Sequence, residues 1–488
     1  MPLLRRLPAA AVSAVVLATS LVTAGANASA VVVDPPSDAC APSSNAELRY
    51  LVLFAPGTAE PAATSEVGSA CGAMTVYYPE IAVGVANSAD AGFAARLGTD
   101  RAFSAQRVLR DAGRSGEATV TTDPAEVDDS DRTAEQWDMT MIGADRARRI
   151  TPGSGDVLVG VLDSGVDPNH PDLTNALDRS ASAGCLSGRA DPSPAAWEPT
   201  ASPHGTHVAG TIAAADDGRG ITGVAPGVRI ASVKVVDDAG FILPEYAVCG
   251  LMWATANGMR VTNNSYFVDP WLMTCDRDSE HVVYESVRRA VDYATSHGVL
   301  TVAAATNEGA DLADPNGRAA EDPSTSGRRT LDASCKVLPA GLRGVVAVSA
   351  VGRNALKASY SSYGLGVIDV TAPGGETKPQ AYDPSGGKQQ DDTCVLSTVP
   401  GGYEKMCGTS MAAPHVTGVA ALLASEHPEA TPQTLSKMLT EQADPLPCPA
   451  DYDLDGTGAQ DAYCTGYQPY NSFYGHGLTD AMAAVGAR

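Results

Sequence analysis

Charge is scarce in this chain and unevenly signed. Only 18% of its 488 residues are charged, and 33 basic residues stand against 57 acidic ones, a formal net charge of −24. So acidic a surface repels phosphates, which excludes nucleic acid and anionic membranes as partners. Zinc spacing is missing too: none of the ten cysteines sits in a CxxC pair, which argues against a zinc centre. Beyond the first thirty residues no run approaches the ~20 apolar residues a membrane-spanning helix needs, and the C-terminal "LTDAMAAVGAR" is short and polar. No segment repeats another. What is present, 44% hydrophobic residues and 48 glycines, suits a globular, loop-rich chain. The length fits a large α/β core with an accessory segment.

The N-terminus reads as an export signal. Arg5 and Arg6 precede "LPAAAVSAVVLATSLVTAG", and "ANASA" offers small-x-small cleavage after Ala28 or Ala30. Residues 1–30 are therefore expected to be removed, leaving a secreted, extracellular protein with no membrane anchor. Ten cysteines (40, 71, 185, 249, 275, 335, 394, 407, 448 and 464) suit that oxidising compartment, and an even number predicts disulfides, here between sequential neighbours.

Residues 31–120 have a pattern of their own. "LRYLVLF" and "MTVYYPEIAVGVAN" predict strands, whereas "SADAGFAARLG" and "AFSAQRVLRDAG" carry helical spacing. This is a small α+β unit. Residues 121–136 follow with six acidic residues and one arginine, an exposed stretch of the kind where linkers and proteolytic cuts concentrate. A cut there leaves two cysteines on one side and eight on the other.

From 137 to 488 the texture is βαβ. Val-rich runs ("DVLVGVLDSG", "VRIASVKVV", "MRVTNNS", "GVLTVAAAT", "RGVVAVSAV") alternate with helical stretches at 204–215, 244–258, 278–297 and 409–426. Continuous apolar strands separated by helices predict a doubly wound, mainly parallel α/β sheet covered on both faces. Ligands of such sheets sit at the carboxyl edge of the strands. Asp163, Ser265 and Asn307 fall just past their strands, so one edge can hold them together.

Singly these residues are ambiguous. Ser410, entering a helix in "GTSMAAPHV", could be only an N-cap, Asp163 only a turn-former, and His204 only a packing residue. Together they supply what acyl transfer needs. Ser410 attacks the carbonyl, His204 carries the proton, and Asp163 fixes the imidazole tautomer. The Asn307 amide and the Ser410 backbone N–H donate to the oxyanion. Gly205 and Gly408 would admit a substrate backbone where a Cβ would obstruct it.

"VLDSGVDPNHPDL", "HGTHVAGTIAA" and "GTSMAAPHVTGVAALL", in the order Asp…His…Ser, resemble the three signature motifs of the subtilisin-like serine proteases. "AAATNEG" resembles that family's oxyanion segment except at Thr306, where a glycine is usual. The resemblance spans about Trp137 to the C-terminus and implies a seven-stranded parallel sheet and serine endopeptidase activity on polypeptide substrates. It assigns Asp163, His204, Asn307 and Ser410 as catalytic residues, with His207 packing. Residues 31–120 are similar in placement and pattern to the family's inhibitor-like propeptides, which serve as intramolecular inhibitor and chaperone. A zymogen, monomeric and needing no cofactor for catalysis, is expected.

The departures matter. On the strand lining the specificity pocket the family usually has S-L-G-G, and this chain has Ser265-Tyr266-Phe267-Val268. Either Phe267 fills the substrate pocket, or the loop is rerouted and Phe267 turns into the core. The altered pocket keeps a second reading open, a maturation protease dedicated to one exported precursor; a catalytically dead peptide-binding relative is a third. Asp172 and Asp217 match the family's usual calcium site, so structural calcium is expected there. "DYDLDGTGAQDA" begins like a calcium loop but ends on Ala462, and an acidic turn closed by Cys448 and Cys464 fits it equally.

Overall fold

A computed structural model describes residues 40, 47–113, 130–315, 329–377, 393–454 and 457–486. The expected signal segment, residues 121–129 of the acidic stretch and Asp455 of the acidic turn lie outside the described residues. The chain divides into two compact units, Met1–Ala41 and Pro42–Arg488, and every described helix and strand belongs to the second.

The segment after residue 46 forms the expected α+β unit. Its elements are β1 (Leu48–Leu53), α1 (Glu60–Ser69), β2 (Ala73–Tyr78), β3 (Val83–Ser88), α2 (Phe93–Leu97), β4 (Ala102–Phe103) and α3 (Ala105–Asp111). The four strands make an antiparallel sheet in the order β2-β3-β1-β4. The single run read between Met74 and Asn87 breaks into β2 and β3 because the chain turns at Pro79–Ala82, where Ala82 takes φ +51°. Side chains alternate along β1. Tyr50, Val52 and Phe54 join the unit's own core with Phe93 and Leu97, while Leu51 and Leu53 face the core of the following domain.

Of the acidic stretch, residues 130–136 are described, and they are docked rather than loose. Arg132 N–H donates to Gly220 O at 2.7 Å, and Gly220 N–H donates to Ser130 O at 3.0 Å. The Gln136 amide is buried and pairs with both backbone groups of Thr222, at 2.9 and 3.0 Å. Polar composition predicts exposure here; backbone pairing to the 220–222 loop overrides it. Two short helices, α4 (Trp137–Met141) and α5 (Ala144–Ala147), lead into the main domain.

There the seven-stranded sheet runs β13-β12-β10-β8-β5-β7-β6, every pair parallel. The strands are β5 (Leu158–Asp163), β6 (Ala183–Gly184), β7 (Arg229–Lys234), β8 (Val261–Asn264), β10 (Leu300–Ala304), β12 (Val345–Val351) and β13 (Val370–Pro373). After the short α6 (Pro194–Trp197), the helices are α7 (His204–Ala213), α8 (Pro244–Ala256), α9 (Glu280–Ser296), α10 (Thr409–Glu426), α11 (Pro432–Gln442) and α12 (Ala481–Ala484). Along β5, Val159 and Val161 face the core shared with α7 and α10, whereas Leu158 and Leu162 face the core under α8 and α9. Both faces are covered, which is why the strands read as unbroken apolar runs. Truncating a fully buried residue such as Leu162 to alanine should cost about 2–5 kcal/mol.

Three small pairings complete the domain: β9 (Thr274–Cys275) with β11 (Cys335–Lys336), β14 (Val395–Val399) with β15 (Gly402–Met406), and β16 (Gly466–Tyr467) with β17 (Tyr470–Asn471). Disulfides join Cys185–Cys249, Cys275–Cys335, Cys394–Cys407 and Cys448–Cys464, all sequential neighbours. Among the described residues no helix is long and apolar enough to cross a membrane.

The α+β unit packs on α8 and α9. The Arg289 guanidinium donates to Phe54 O and Ile81 O at 3.1 and 3.0 Å, and the Tyr78 hydroxyl donates to Gly188 O at 2.8 Å. Arg49 lies 3.5 Å from Glu245 in the first turn of α8, and Glu245 is buried. Burial pushes the Glu245 carboxyl above its ordinary pKa, and the charge of Arg49 opposes that shift.

Candidate active site

The carboxyl ends of β5, β8 and β10 meet the amino ends of α7 and α10, the edge expected from the sequence. Asp163 is the last residue of β5 and is 1% exposed. His204 opens α7, and its Nδ1–H points at Asp163, 2.8 Å from Oδ1 and 3.0 Å from Oδ2. Burial works against the imidazolium, but the charge and hydrogen bond of Asp163 outweigh it, and the pKa of His204 lies above the ordinary 6.5.

Ser164 and Gly205 fix this approach. The Ser164 N–H donates to Asp163 Oδ1 at 2.7 Å, and its hydroxyl accepts the Gly205 N–H at 3.0 Å while donating to Ser202 O at 3.1 Å. Ser164 thus caps α7 from the end of β5, a role the sequence does not signal. A Cβ on Gly205 would sit 2.4 Å from Gly165 O. Gly205 therefore permits close packing of α7 on the strand end, and this corrects its expected role at the substrate.

Ser410 is the second residue of α10, behind the β14–β15 hairpin that the Cys394–Cys407 bridge closes at its base. Ser410 and Ser265 exchange hydrogen bonds. The Ser265 hydroxyl donates to Ser410 O at 2.8 Å, and the Ser410 hydroxyl donates to Ser265 O at 3.3 Å. The cause is Pro414, which lies inside α10 and lacks the N–H that would normally reach Ser410 O. Ser265, expected as a pocket residue, supplies that missing donor. Among the described residues the hydrogen bond of the Ser410 hydroxyl goes to Ser265 rather than to His204.

Asn307 lies just past β10. Its Oδ1 accepts from both the N–H and the hydroxyl of Thr409, each at 2.9 Å, which turns Nδ2 the other way. A Cβ on Gly408 would lie 3.4 Å from that Nδ2 and 3.6 Å from Ser410 N. Both nitrogens therefore lie beside Gly408. Before Asn307, Thr306 takes φ +86° and is buried, a conformation costing on the order of 1–3 kcal/mol for a β-branched residue.

The other candidates divide. His207 is fully buried, its Nε2–H shared between Val395 O and Glu404 O at 3.1 Å each. Burial pushes its pKa down to about 3, so it is a neutral tie between α7 and the hairpin. Tyr266 is buried with its hydroxyl on Asn264 Oδ1 at 2.9 Å, and half-buried Phe267 packs against the core under α8 and α9. Beyond it, Val268 N–H donates to Leu338 O at 3.0 Å and Asp269 N–H to Ile242 O at 2.9 Å.

Asp172 and Asp217 do not fit a calcium ion as arranged. Asp172 Oδ2 accepts the Tyr403 hydroxyl at 3.0 Å and the Ile221 N–H at 3.2 Å, and Asp217 is paired with Arg219 at 3.0 Å. Protein donors thus engage Asp172 Oδ2 and the Asp217 carboxylate. In the C-terminal acidic turn, Asp453 is taken by Thr457 and Gly458 N–H groups at 3.0 and 2.7 Å. Among the described residues no cluster of three His, Cys, Asp or Glu side chains could hold a metal.

The sequence model of the subtilase family matches residues 154–477, more than half of the chain. The chain belongs to that family. It is 33% identical to fervidolysin of Fervidobacterium pennivorans over 337 residues, 66% of this chain and 41% of the relative. It is 36% identical to subtilisin NAT of Bacillus subtilis subsp. natto over 276 residues, 56% of each. The chain thus spans about half the length of the curated relatives it matches. Among solved structures, the epidermin leader peptide processing serine protease of Staphylococcus aureus shares the fold, with a TM-score of 0.64 at 22% identity over 90% of this chain and 98% of that one. A lanthipeptide protease matches with a TM-score of 0.55 at 25% identity, covering 72% and 94%.

Proposed function

We propose that this chain is a serine endopeptidase working through an acyl-enzyme on Ser410. The observation that carries this reading is the Asp163–His204 pair at 2.8 Å, set on the same sheet edge as Ser410 and a second oxyanion donor. Ser410 Oγ leaves the Ser265 carbonyl, gives its proton to His204 Nε2 and attacks the scissile carbonyl. His204 then hands the proton to the leaving amine, with Asp163 balancing the imidazolium. Hydrogen bonds of this kind are often long without substrate and tighten in its complex. Asn307 Nδ2 and Ser410 N–H take the oxyanion. Water repeats the sequence in reverse to release the acyl group. Fluorophosphonate labelling tests the reading: Ser410 of the processed protein should be labelled and His204→Ala should not. Absence of labelling in the wild type would favour a peptide-binding relative.

The enzyme is exported and made as a zymogen, with residues 31–120 as its inhibitory pro-segment. The apolar face of β1 against α8 and α9 and the Arg49–Glu245 pair support this, as does the even division of cysteines. The backbone pairing of residues 130–136 favours a cut upstream of Ser130. Secreted Ser410→Ala should remain one chain beginning near Val31, whereas wild type should yield a shorter mature chain. Normal processing of the alanine variant in a host lacking extracellular proteases would refute self-cleavage.

A second reading, a maturation protease for one exported precursor, draws support from Phe267, which stands where the resemblance leads one to expect glycine, and from the likeness to a lanthipeptide protease. A peptide-library digest separates the two: broad cleavage favours a general endopeptidase, and a single long motif favours maturation.

A further inference from the structure

The chain leaves β10 through Ala305, whose N–H still donates to Val348 O at 2.9 Å in sheet register. One residue later the backbone reverses at Thr306, at φ +86°. Glycine would adopt this conformation freely, whereas a β-branched residue must be held there. Two contacts hold it. Thr306 Oγ1 meets Ser362 Oγ at 2.8 Å, and Thr306 O accepts the Ser362 N–H at 3.1 Å. Ser362 Oγ also accepts the Ala310 N–H at 3.2 Å, so this one hydroxyl braces both sides of the turn carrying Asn307. Thr306 is 6% and Ser362 0% exposed, so water does not replace the bond. Around it the two segments are zipped together: Gly309 N–H donates to Tyr360 O at 2.6 Å and Tyr363 N–H to Ala310 O at 2.8 Å.

We propose that Thr306 and Ser362 form a positioning clamp that fixes the direction of the Asn307 amide for the oxyanion. The inference rests on the oxyanion reading of Asn307. Thr409 holds the amide by its oxygen; the clamp holds the backbone from which the amide departs. Neither hydroxyl touches substrate. Their effect is exerted through Nδ2, which must lie about 2.7–3.1 Å from an oxygen that exists only in the transition state. Loss of the clamp therefore lowers kcat and leaves KM alone.

The test uses the mature enzyme and a chromogenic peptide substrate. Thr306→Val keeps the branched shape and removes the hydroxyl; its kcat should fall about 10-fold, within the range that a small misplacement costs, with KM and far-ultraviolet circular dichroism unchanged. Thr306→Ser restores the hydroxyl and should restore most of kcat. Should Thr306→Val fail to fold, Ser362→Ala removes the other half of the clamp and should show the same kcat loss. In an Asn307→Ala background, which itself loses ~100-fold or more, Thr306→Val should cost nothing further. Full kcat in both clamp variants, or losses that multiply with Asn307→Ala, would overturn the clamp while leaving the oxyanion assignment standing. Full kcat in Asn307→Ala itself would overturn that assignment and the clamp with it.

Discussion

Asp138 Oδ2 and His415 Nε2 meet at 3.0 Å inside the molecule, and neither side chain has any exposed surface. The other ring nitrogen of His415 faces Met411 O at 2.7 Å. Both ring nitrogens of His415 thus face oxygen atoms. Asp138 lies on α4, directly after the docked end of the acidic stretch, and His415 lies five residues beyond Ser410 on α10. The pair binds the entry of the domain to the helix that carries Ser410. Replacing Asp138 leaves His415 Nε2 buried without its partner, so Asp138→Ala should destabilise the domain by about 3–5 kcal/mol. Urea denaturation in a Ser410→Ala background, free of self-digestion, measures this; an unchanged midpoint would show the pair to be dispensable.

The Asp163–His204 pair sets a pH dependence. In the proposed mechanism His204 acts as a base only when neutral, and its pKa lies above 6.5 because Asp163 outweighs burial. Activity should therefore be lost as pH falls through a value above 6.5, seen in the acid limb of kcat/KM. Asp163→Asn removes the charge, so the limb should move to lower pH while kcat falls by about 10,000-fold. A limb that stays in place would mean another group governs it.

Arg49 should matter for inhibition in trans. With residues 47–113 packed on α8, Glu245 is buried and Arg49 pairs with it at 3.5 Å. An Arg49→Ala pro-segment should inhibit the mature enzyme roughly 10- to 100-fold less tightly, the cost of an unpaired buried charge. Burial raises the pKa of Glu245, so its protonated form is favoured in the complex. The defect should shrink as pH falls and the carboxyl is neutralised. A pH-independent defect would point to lost packing instead.

Chelation should have little effect. Tyr403 and Ile221 occupy Asp172, and Arg219 occupies Asp217. The thermal midpoint of the Ser410→Ala protein in excess EDTA should match that in millimolar calcium. A fall in EDTA that calcium reverses would assign an ion to this chain after all.

Much of this protein is written locally. Period-two alternation in "LRYLVLF", unbroken valine runs and helical stretches such as 409–426 announce the elements, because burial on one face or two dictates where apolar residues recur. The Asp163, His204, Asn307 and Ser410 constellation was legible because each residue sits at a strand end or helix start, and the sheet topology brings those ends to one edge. What the sequence left open depended on partners distant along the chain. The Ser265 hydroxyl gains its use from Pro414, far along the chain, which leaves the Ser410 carbonyl without a backbone donor. Gly205 reads as space for substrate until Gly165 O is found 2.4 Å from its would-be Cβ. Phe267 reads as either pocket or core, and in the fold it lies half-buried against the core under α8 and α9. Residue type and spacing determine which chemistry a chain can carry. Which group each side chain serves was decided by tertiary structure, because hydrogen bonds and close packing act between atoms that only folding brings together.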